Sequence, residues 1–136
     1  MNVKDGELKA LMEKYKKFVM YGLSPSPGKP SHDVPSYMRS QGWEIVGTYP
    51  KAHSEGGFEI YQSLADVPAE YRKFVDVFRS SDKIPEVVDE VLKVGSVEVL
   101  WLQHGISHPE AEARAEKAGL KVVSDRCLII EHRRWF

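Results

Sequence analysis

Apolar residues at Leu8, Leu11, Met12 and Tyr15 recur at i, i+3, i+4 and i+7. That spacing predicts a helix with one buried stripe, capped at its start by Asp5 and packed outside the rest of the fold. Residues 17–22 (KFVMYG) follow as a short, nearly continuous apolar run closed by glycine, the pattern of a strand covered on both faces. The segment 23–31 (LSPSPGKPS) is a Pro-, Ser- and Gly-rich loop. Beyond it Val34, Tyr37, Met38 and Gln41 share a helical face that Gly42 closes. Pro35 is tolerated in a first turn, which places the helix cap among Ser31, His32 and Asp33.

The rest of the chain repeats the alternation. Residues 43–50 (WEIVGTYP) read as a strand, 51–57 (KAHSEGG) as a polar loop, 63–68 as a turn or short helix, and 73–79 (KFVDVFR) as the next strand. Ile84, Val87, Val88, Val91 and Leu92 then keep helical periodicity up to Gly95. Residues 97–103 (VEVLWLQ) form another strand, and SHPE at 107–110 has capping-box spacing before an alanine-rich helix that Gly119 ends. A last strand covers 122–127. Strands separated by helices imply right-handed crossovers, and so an α/β fold. The expected architecture is a Rossmann-like, doubly wound, mainly parallel sheet of about five strands with helices on both faces.

Composition narrows the function classes. A chain of 136 residues, 42% hydrophobic and 29% charged, has the length and balance of a single globular domain spanning 1–136, with 1–16 as an outlying N-terminal helix. Nineteen basic side chains against twenty acidic ones leave a formal charge of -1, so there is no global basic field to hold nucleic acid or an anionic membrane. Any anion must be gripped locally. The only cysteine, Cys127, excludes an internal disulfide and a cysteine-built metal site. With no apolar leader near Met1 and no membrane-length apolar run, the expected location is the cytoplasm.

In a doubly wound sheet ligands bind beyond the carboxyl ends of the strands, where strand order reverses. The loop after the first strand is therefore the place to look. Gly22, Ser24, Ser26, Gly28, Lys29 and Ser31 supply close backbone approach, hydrogen-bond donors and one cation just before a helix N-terminus, which is phosphate-binding chemistry. The other reading of this loop is a proline-stiffened connection without a ligand. A dinucleotide site would usually place an acidic residue about 20 residues further on to hold the ribose hydroxyls. Here Tyr49, Pro50 and Lys51 occupy that region. An uncharged strand end followed by lysine suits a phosphorylated ribose, that of coenzyme A (CoA) or, as the alternative, NADP; Lys51 is otherwise a solvated surface lysine.

The segments GLSPSPGKPSHDVPSYM, VDVFRSSDKIPEVV, VLWLQHGI and SDRCLIIEH, in this order, resemble the small single-domain CoA-binding proteins. These are relatives of the CoA-binding domain of succinyl-CoA synthetase alpha subunits. The resemblance implies a Rossmann-like CoA-binding domain with Gly22, Ser24, Pro25, Lys29 and Ser31 at the pyrophosphate. It places Tyr49, Pro50 and Lys51 beside the adenosine, and Phe78, Arg79 and Ile84 along the groove after the third long strand. Many relatives carry Val-Asn-Pro where this chain has Thr48, Tyr49 and Pro50, so the asparagine contact to ribose is not carried over. Neither is the synthetase reaction, which depends on a further domain bearing a phosphorylated histidine.

Candidates for catalysis are sparse. Cys127 stands beside Arg126, which favours a thiolate able to form a mixed disulfide with the CoA thiol; a packed, inert cysteine is the plainer reading. His104 and His108 are four apart, but Gly105 and the expected cap at Ser107 interrupt the helix that would align them on a metal. His32 can donate to a phosphate or help cap its helix. Arg126, His132, Arg133 and Arg134 give a basic terminus without interleaved aromatics, which reads as a solvated end and not as a nucleic-acid surface. The expected function is binding of CoA or an acyl-CoA as a small-molecule ligand, without catalysis. The rival is an NADP- or acyl-CoA-dependent enzyme using Cys127 or His104. A protein partner is not specified by the sequence.

Overall fold

Short apolar runs, each too buried to sit at a surface, make the sheet. The computed structural model describes residues 3–23, 30–49 and 58–136, with the backbone alone at 30 and 31. Among these residues six parallel strands, β1 (Lys17–Tyr21), β2 (Glu44–Thr48), β3 (Ile60–Tyr61), β4 (Phe74–Val77), β5 (Val99–Leu102) and β6 (Lys121–Val123), lie in the order β3-β2-β1-β4-β5-β6. The helices are α1 (Asp5–Lys14), α2 (Pro30–Ser40), α3 (Ala69–Arg72), α4 (Ile84–Val94), α5 (Pro109–Lys117) and α6 (Leu128–Trp135). This strand order is that of the dinucleotide-binding Rossmann sheet, and it reverses between β1 and β4.

Alternation along the strands sends side chains to two cores. Phe18, Met20, Ile45, Phe74, Val99, Trp101 and Val123 pack with Leu8, Leu11 and Met12 of α1, Val34 and Met38 of α2 and Leu128 of α6. On the opposite side Val19, Val46, Val75, Val77, Leu100 and Leu102 meet Val87, Val88 and Val91 of α4 and Ala111 and Ala115 of α5. The first core is aromatic: Phe18 lies 5.7 Å from both Trp43 and Phe74, and Phe74 stacks on Trp101 at 5.9 Å between ring centres. The second is built from small branched side chains that let α4 lie close to the strands.

The expected parallel α/β sheet is present, with differences in detail. β3 is an additional strand of two residues, paired as Gly47↔Ile60 and Thr48↔Tyr61 and too short to show an alternating pattern. The turn expected at 63–68 contains a 3-10 turn at Leu64–Asp66, and the four-residue α3 follows it. α2 begins at Pro30, ahead of the expected cap, because a first-turn proline has no N–H to lose; Pro35 consequently stands inside the helix. Gln41 lies past the helix end and is exposed, in the turn that Gly42 closes at φ 92°. Leu92, on the edge of the α4 stripe, is 36% exposed.

Two caps also differ from expectation. Lys4, not Asp5, occupies the α1 cap position, and the Asp5 carboxylate instead meets Arg126 at 2.8 Å and Arg134 at 3.0 Å. The hydrogen bond from Arg134, reinforced by the charge of Arg126, lowers the Asp5 pKa. The α5 cap is His108: its Nδ1 accepts from the Ala111 N–H at 3.2 Å while its own N–H donates to Glu112 at 2.7 Å. Ser107 points its N–H at Ser81 Oγ, 3.1 Å away. The last strand stops at Val123, and the basic end of the chain, expected to be solvated, forms α6, which starts after Cys127 and buries Glu131 and His132. No helix among the described residues is long and apolar enough to cross a membrane.

Candidate functional site

The reversal of strand order opens a groove of about 530 Å³ at the carboxyl edge of the sheet. Its walls come from the ends of four strands: Tyr21 and Gly22 at the end of β1, Thr48 and Tyr49 at the end of β2, Gln62 and Ser63 after β3, and Phe78 and Arg79 after β4. Glu90 of α4 closes it. The volume falls within the roughly 300–1,000 Å³ of pockets that enclose organic ligands.

Glycine makes the groove possible. Gly22 has φ 89°, and a Cβ placed there would stand 2.5 Å from the Phe78 carbonyl oxygen. That is both a left-handed conformation and a steric exclusion, so β1 and β4 approach this closely only around a residue without a side chain. The approach is held by hydrogen bonds, from the Phe78 N–H to the Tyr21 carbonyl at 2.9 Å and from the N–H groups of Gly22 and Leu23 to the Thr48 carbonyl at 3.0 and 3.1 Å. Leu23 then crosses β2 over Gly47, where a Cβ would lie 2.5 Å from that of Leu23. The chain thus leaves β1 tightly constrained, aimed toward the loop that precedes α2.

Glu90 gives the groove an acidic wall. It accepts a 2.6 Å hydrogen bond from the Tyr21 hydroxyl and a 3.0 Å bond from the Leu64 N–H, joining β1, the 3-10 turn and α4. Burial, with the adjacent Glu90 carboxylate adding to it, raises the Tyr21 pKa and keeps the phenol a donor. Among the described lining residues Arg79 is the cation, exposed at the mouth. A phosphate is disfavoured against Glu90 and favoured toward Gly22 and the amino end of α2; an uncharged ring with amino and hydroxyl donors suits the Glu90 wall.

Of the residues named from sequence, Gly22, Tyr49, Phe78 and Arg79 come together on the groove. Ile84 does not line it, because as the first residue of α4 it is wholly buried in the core with Val77 and Val88. Ser24, Pro25, Lys29, Pro50 and Lys51 lie outside the described residues, and Ser31 is described only as backbone in the first turn of α2. Sequence reading missed Tyr21, Thr48, Gln62, Ser63 and Glu90. Gln62 and Ser63 follow a strand too short to detect, and Glu90 sits beside the apolar stripe of α4, where a charged residue ordinarily means a solvated flank.

The other candidates are spread out. His104 is exposed and lies 3.5 Å from Asp125, His108 caps α5, and Cys127 stands half-buried at the start of α6. His32 stands in the first turn of α2, edge-on to Phe58 at 6.4 Å between ring centres. Among the described residues no group of three or more His, Cys, Asp or Glu side chains is placed to hold a metal ion.

A family model described as a CoA binding domain matches residues 16–133, which takes in all six described strands, α2 to α5 and most of α6. The chain belongs to the CoA-binding domain family. Members similar to it include the uncharacterized Bacillus subtilis protein YneT, 30% identical over 131 residues and 96% of each chain. A solved Thermus thermophilus structure is 36% identical, with TM-score 0.88 over 98% of this chain and all of the other. A hypothetical protein from Pyrococcus horikoshii is 30% identical, with TM-score 0.89 over 98% of this chain and 92% of the other. Membership supports binding of CoA as a small-molecule ligand.

Proposed function

We propose that residues 1–136 act as one domain that binds CoA or an acyl-CoA without catalysis by its own side chains. The adenosine occupies the groove between Tyr49, Phe78 and the Glu90 wall. The pyrophosphate lies over the loop of Ser24, Pro25, Lys29 and Ser31 at the amino end of α2, and the ribose 3'-phosphate meets Lys51 beside Pro50. The thiol arm then crosses the carboxyl ends of β4, β5 and β6. The observation that carries this reading is the groove at the strand reversal, which exists because Gly22, whose Cβ would stand 2.5 Å from the Phe78 carbonyl oxygen, puts no side chain into it.

Absence of catalysis is argued from chemistry. Nucleophilic catalysis needs a nucleophile within hydrogen-bond reach of a base that a third group orients. Cys127 stands at the start of α6, half-buried against the aromatic core, whereas the imidazole of His104 is 80% exposed and turned to Asp125. Calorimetric titration with CoA, dephospho-CoA and NADP tests the proposal. CoA is expected to bind more tightly than dephospho-CoA by roughly 1.5–3 kcal/mol, the worth of a charge-assisted contact, with that margin lost in Lys51→Ala. Equal affinity for the two ligands removes the Lys51 assignment, and tighter binding of NADP removes the CoA reading. Turnover of acyl-CoA or NADP that disappears in Cys127→Ser or His104→Ala while binding persists replaces the binding module with an enzyme.

A further inference from the structure

Asp76 and Gln103 form a polar pair inside the aromatic core. Asp76 lies on the central strand β4, flanked in register by Met20 and Trp101, and is 0% exposed; Gln103 follows β5 and is 1% exposed. Gln103 Nε2 donates to Asp76 Oδ1 at 2.6 Å, and its Oε1 accepts from the Leu128 N–H at 3.3 Å. Asp76 Oδ2 has no partner among the described residues. An apolar pair at these positions would avoid the cost of burying a carboxyl with an oxygen left unmatched. What the pair provides is placement: through Gln103, the centre of the sheet is tied to the first turn of α6.

The same two segments are tied again at their exposed side. Asp125 accepts from the Gly105 N–H at 2.6 Å and donates its own N–H to the Ile106 carbonyl at 3.1 Å. It does so at φ 57°, a left-handed conformation that aspartate tolerates better than most residues. The turn after β5 and the connection from β6 to α6 are therefore locked together from the buried and the exposed side, along the half of the carboxyl edge that the groove leaves free. For a ligand with its adenosine in the groove and its diphosphate at the strand reversal, this half of the edge offers a described surface to the remainder of its length.

We propose that Asp76 and Gln103 are positioning residues for the pantetheine arm of CoA, holding the β5 turn and the first turn of α6 as the rigid track along which the arm lies. This deepens the CoA reading above and rests on it. The pair touches no phosphate and no adenine, so its effect is confined to ligands that carry the arm. Burial pushes the Asp76 pKa up to about 8, so the carboxyl is neutral at pH 7 and asparagine is its close mimic.

The test is titration of wild type, Asp76→Asn, Asp76→Leu and Gln103→Met with CoA and with ADP, which shares the adenosine and diphosphate but lacks the arm. Asp76→Leu and Gln103→Met are expected to weaken CoA about tenfold while ADP stays within about twofold, and Asp76→Asn to hold CoA near wild type; a tenfold loss corresponds to about 1.4 kcal/mol. Where a variant does not fold, amide NMR of the wild type decides: CoA shifts the Leu128 amide and the Gln103 side-chain amide, and ADP does not. Loss of CoA and ADP together in a folded variant, unchanged CoA affinity, or NMR shifts common to both ligands overturns the positioning role. A wild type that binds ADP but not CoA overturns it as well, and one that binds neither removes the CoA reading itself.

Discussion

The two halves of the carboxyl edge are held by different physics. On the β1–β2 side the groove is shaped by what is missing: Gly22 and Gly47 have no side chains, and Phe78 and Leu23 occupy the space a Cβ would take. Backbone hydrogen bonds to Tyr21 and Thr48 do the rest. On the β4–β6 side the turns are fixed by side chains, from Asp76 through Gln103 to Leu128 inside and from Asp125 to Gly105 outside. Steric exclusion tolerates no addition, whereas a side-chain network tolerates replacements that keep its shape and neutrality. The groove side is thus brittle and the opposite side adjustable.

Breaking the groove side gives the largest effect. Gly22→Val combines a left-handed φ with a clash against backbone, and its cost is expected at about 3 kcal/mol or more, read as a lower denaturant midpoint with loss of CoA binding. A variant as stable as wild type would mean that β1 and β4 separate freely, and the contrast between the halves would vanish.

On the other side the sharpest signature is pH. The folded-state pKa of Asp76, about 8, lies above its ordinary value of 3.8 because of burial, so the folded form holds a proton that the unfolded chain releases. Its contribution is full below pH about 4 and is lost as pH rises toward 8, at up to about 1.4 kcal/mol per pH unit. Asp76→Asn is therefore expected to flatten the pH dependence of stability over that window and to be the more stable protein at pH 7. Parallel pH profiles for variant and wild type would show that Asp76 ionises normally.

Much of the architecture was legible because periodicity is a local property. The β1, β4 and β5 runs and the Ile84, Val87, Val88, Val91 stripe each announce burial on their own. Gly22 was legible as a candidate because it sits where an apolar run meets a loop, and Arg79 only through the resemblance to CoA-binding proteins, since the apolar pattern carried the expected strand through it. What stayed hidden depends on contacts distant in sequence. The carboxylate of Glu90 becomes a groove wall only through Tyr21, 69 residues away, and Asp76 reads as one polar residue in a strand until Gln103, 27 residues on, is seen beside it. α6 was hidden for another reason: its arginines dominate the terminus, and its buried contacts through Leu128, Glu131 and His132 appear only once α1 and α2 are packed against it.

Smaller effects refine the contrast. Glu90→Gln keeps an acceptor for the Tyr21 hydroxyl but removes the charge, with an expected cost of about 1 kcal/mol in stability and a Tyr21 pKa closer to that of a free phenol, measured by ultraviolet titration. An unmoved phenol titration would assign the whole Tyr21 shift to burial. Cys127→Ser is expected to change CoA affinity by no more than a few fold, about 1 kcal/mol, since serine keeps the shape of the turn along which the arm is proposed to lie. A larger loss in calorimetry would bring the thiol into the binding site.

The central claim, that the β1/β4 reversal holds CoA, meets its most direct test in native mass spectrometry of the wild-type chain mixed with equal concentrations of CoA and NADP. One CoA per chain is expected as the dominant adduct, displaced by excess acyl-CoA. A dominant NADP adduct, or a chain that carries neither ligand while folded, would contradict it.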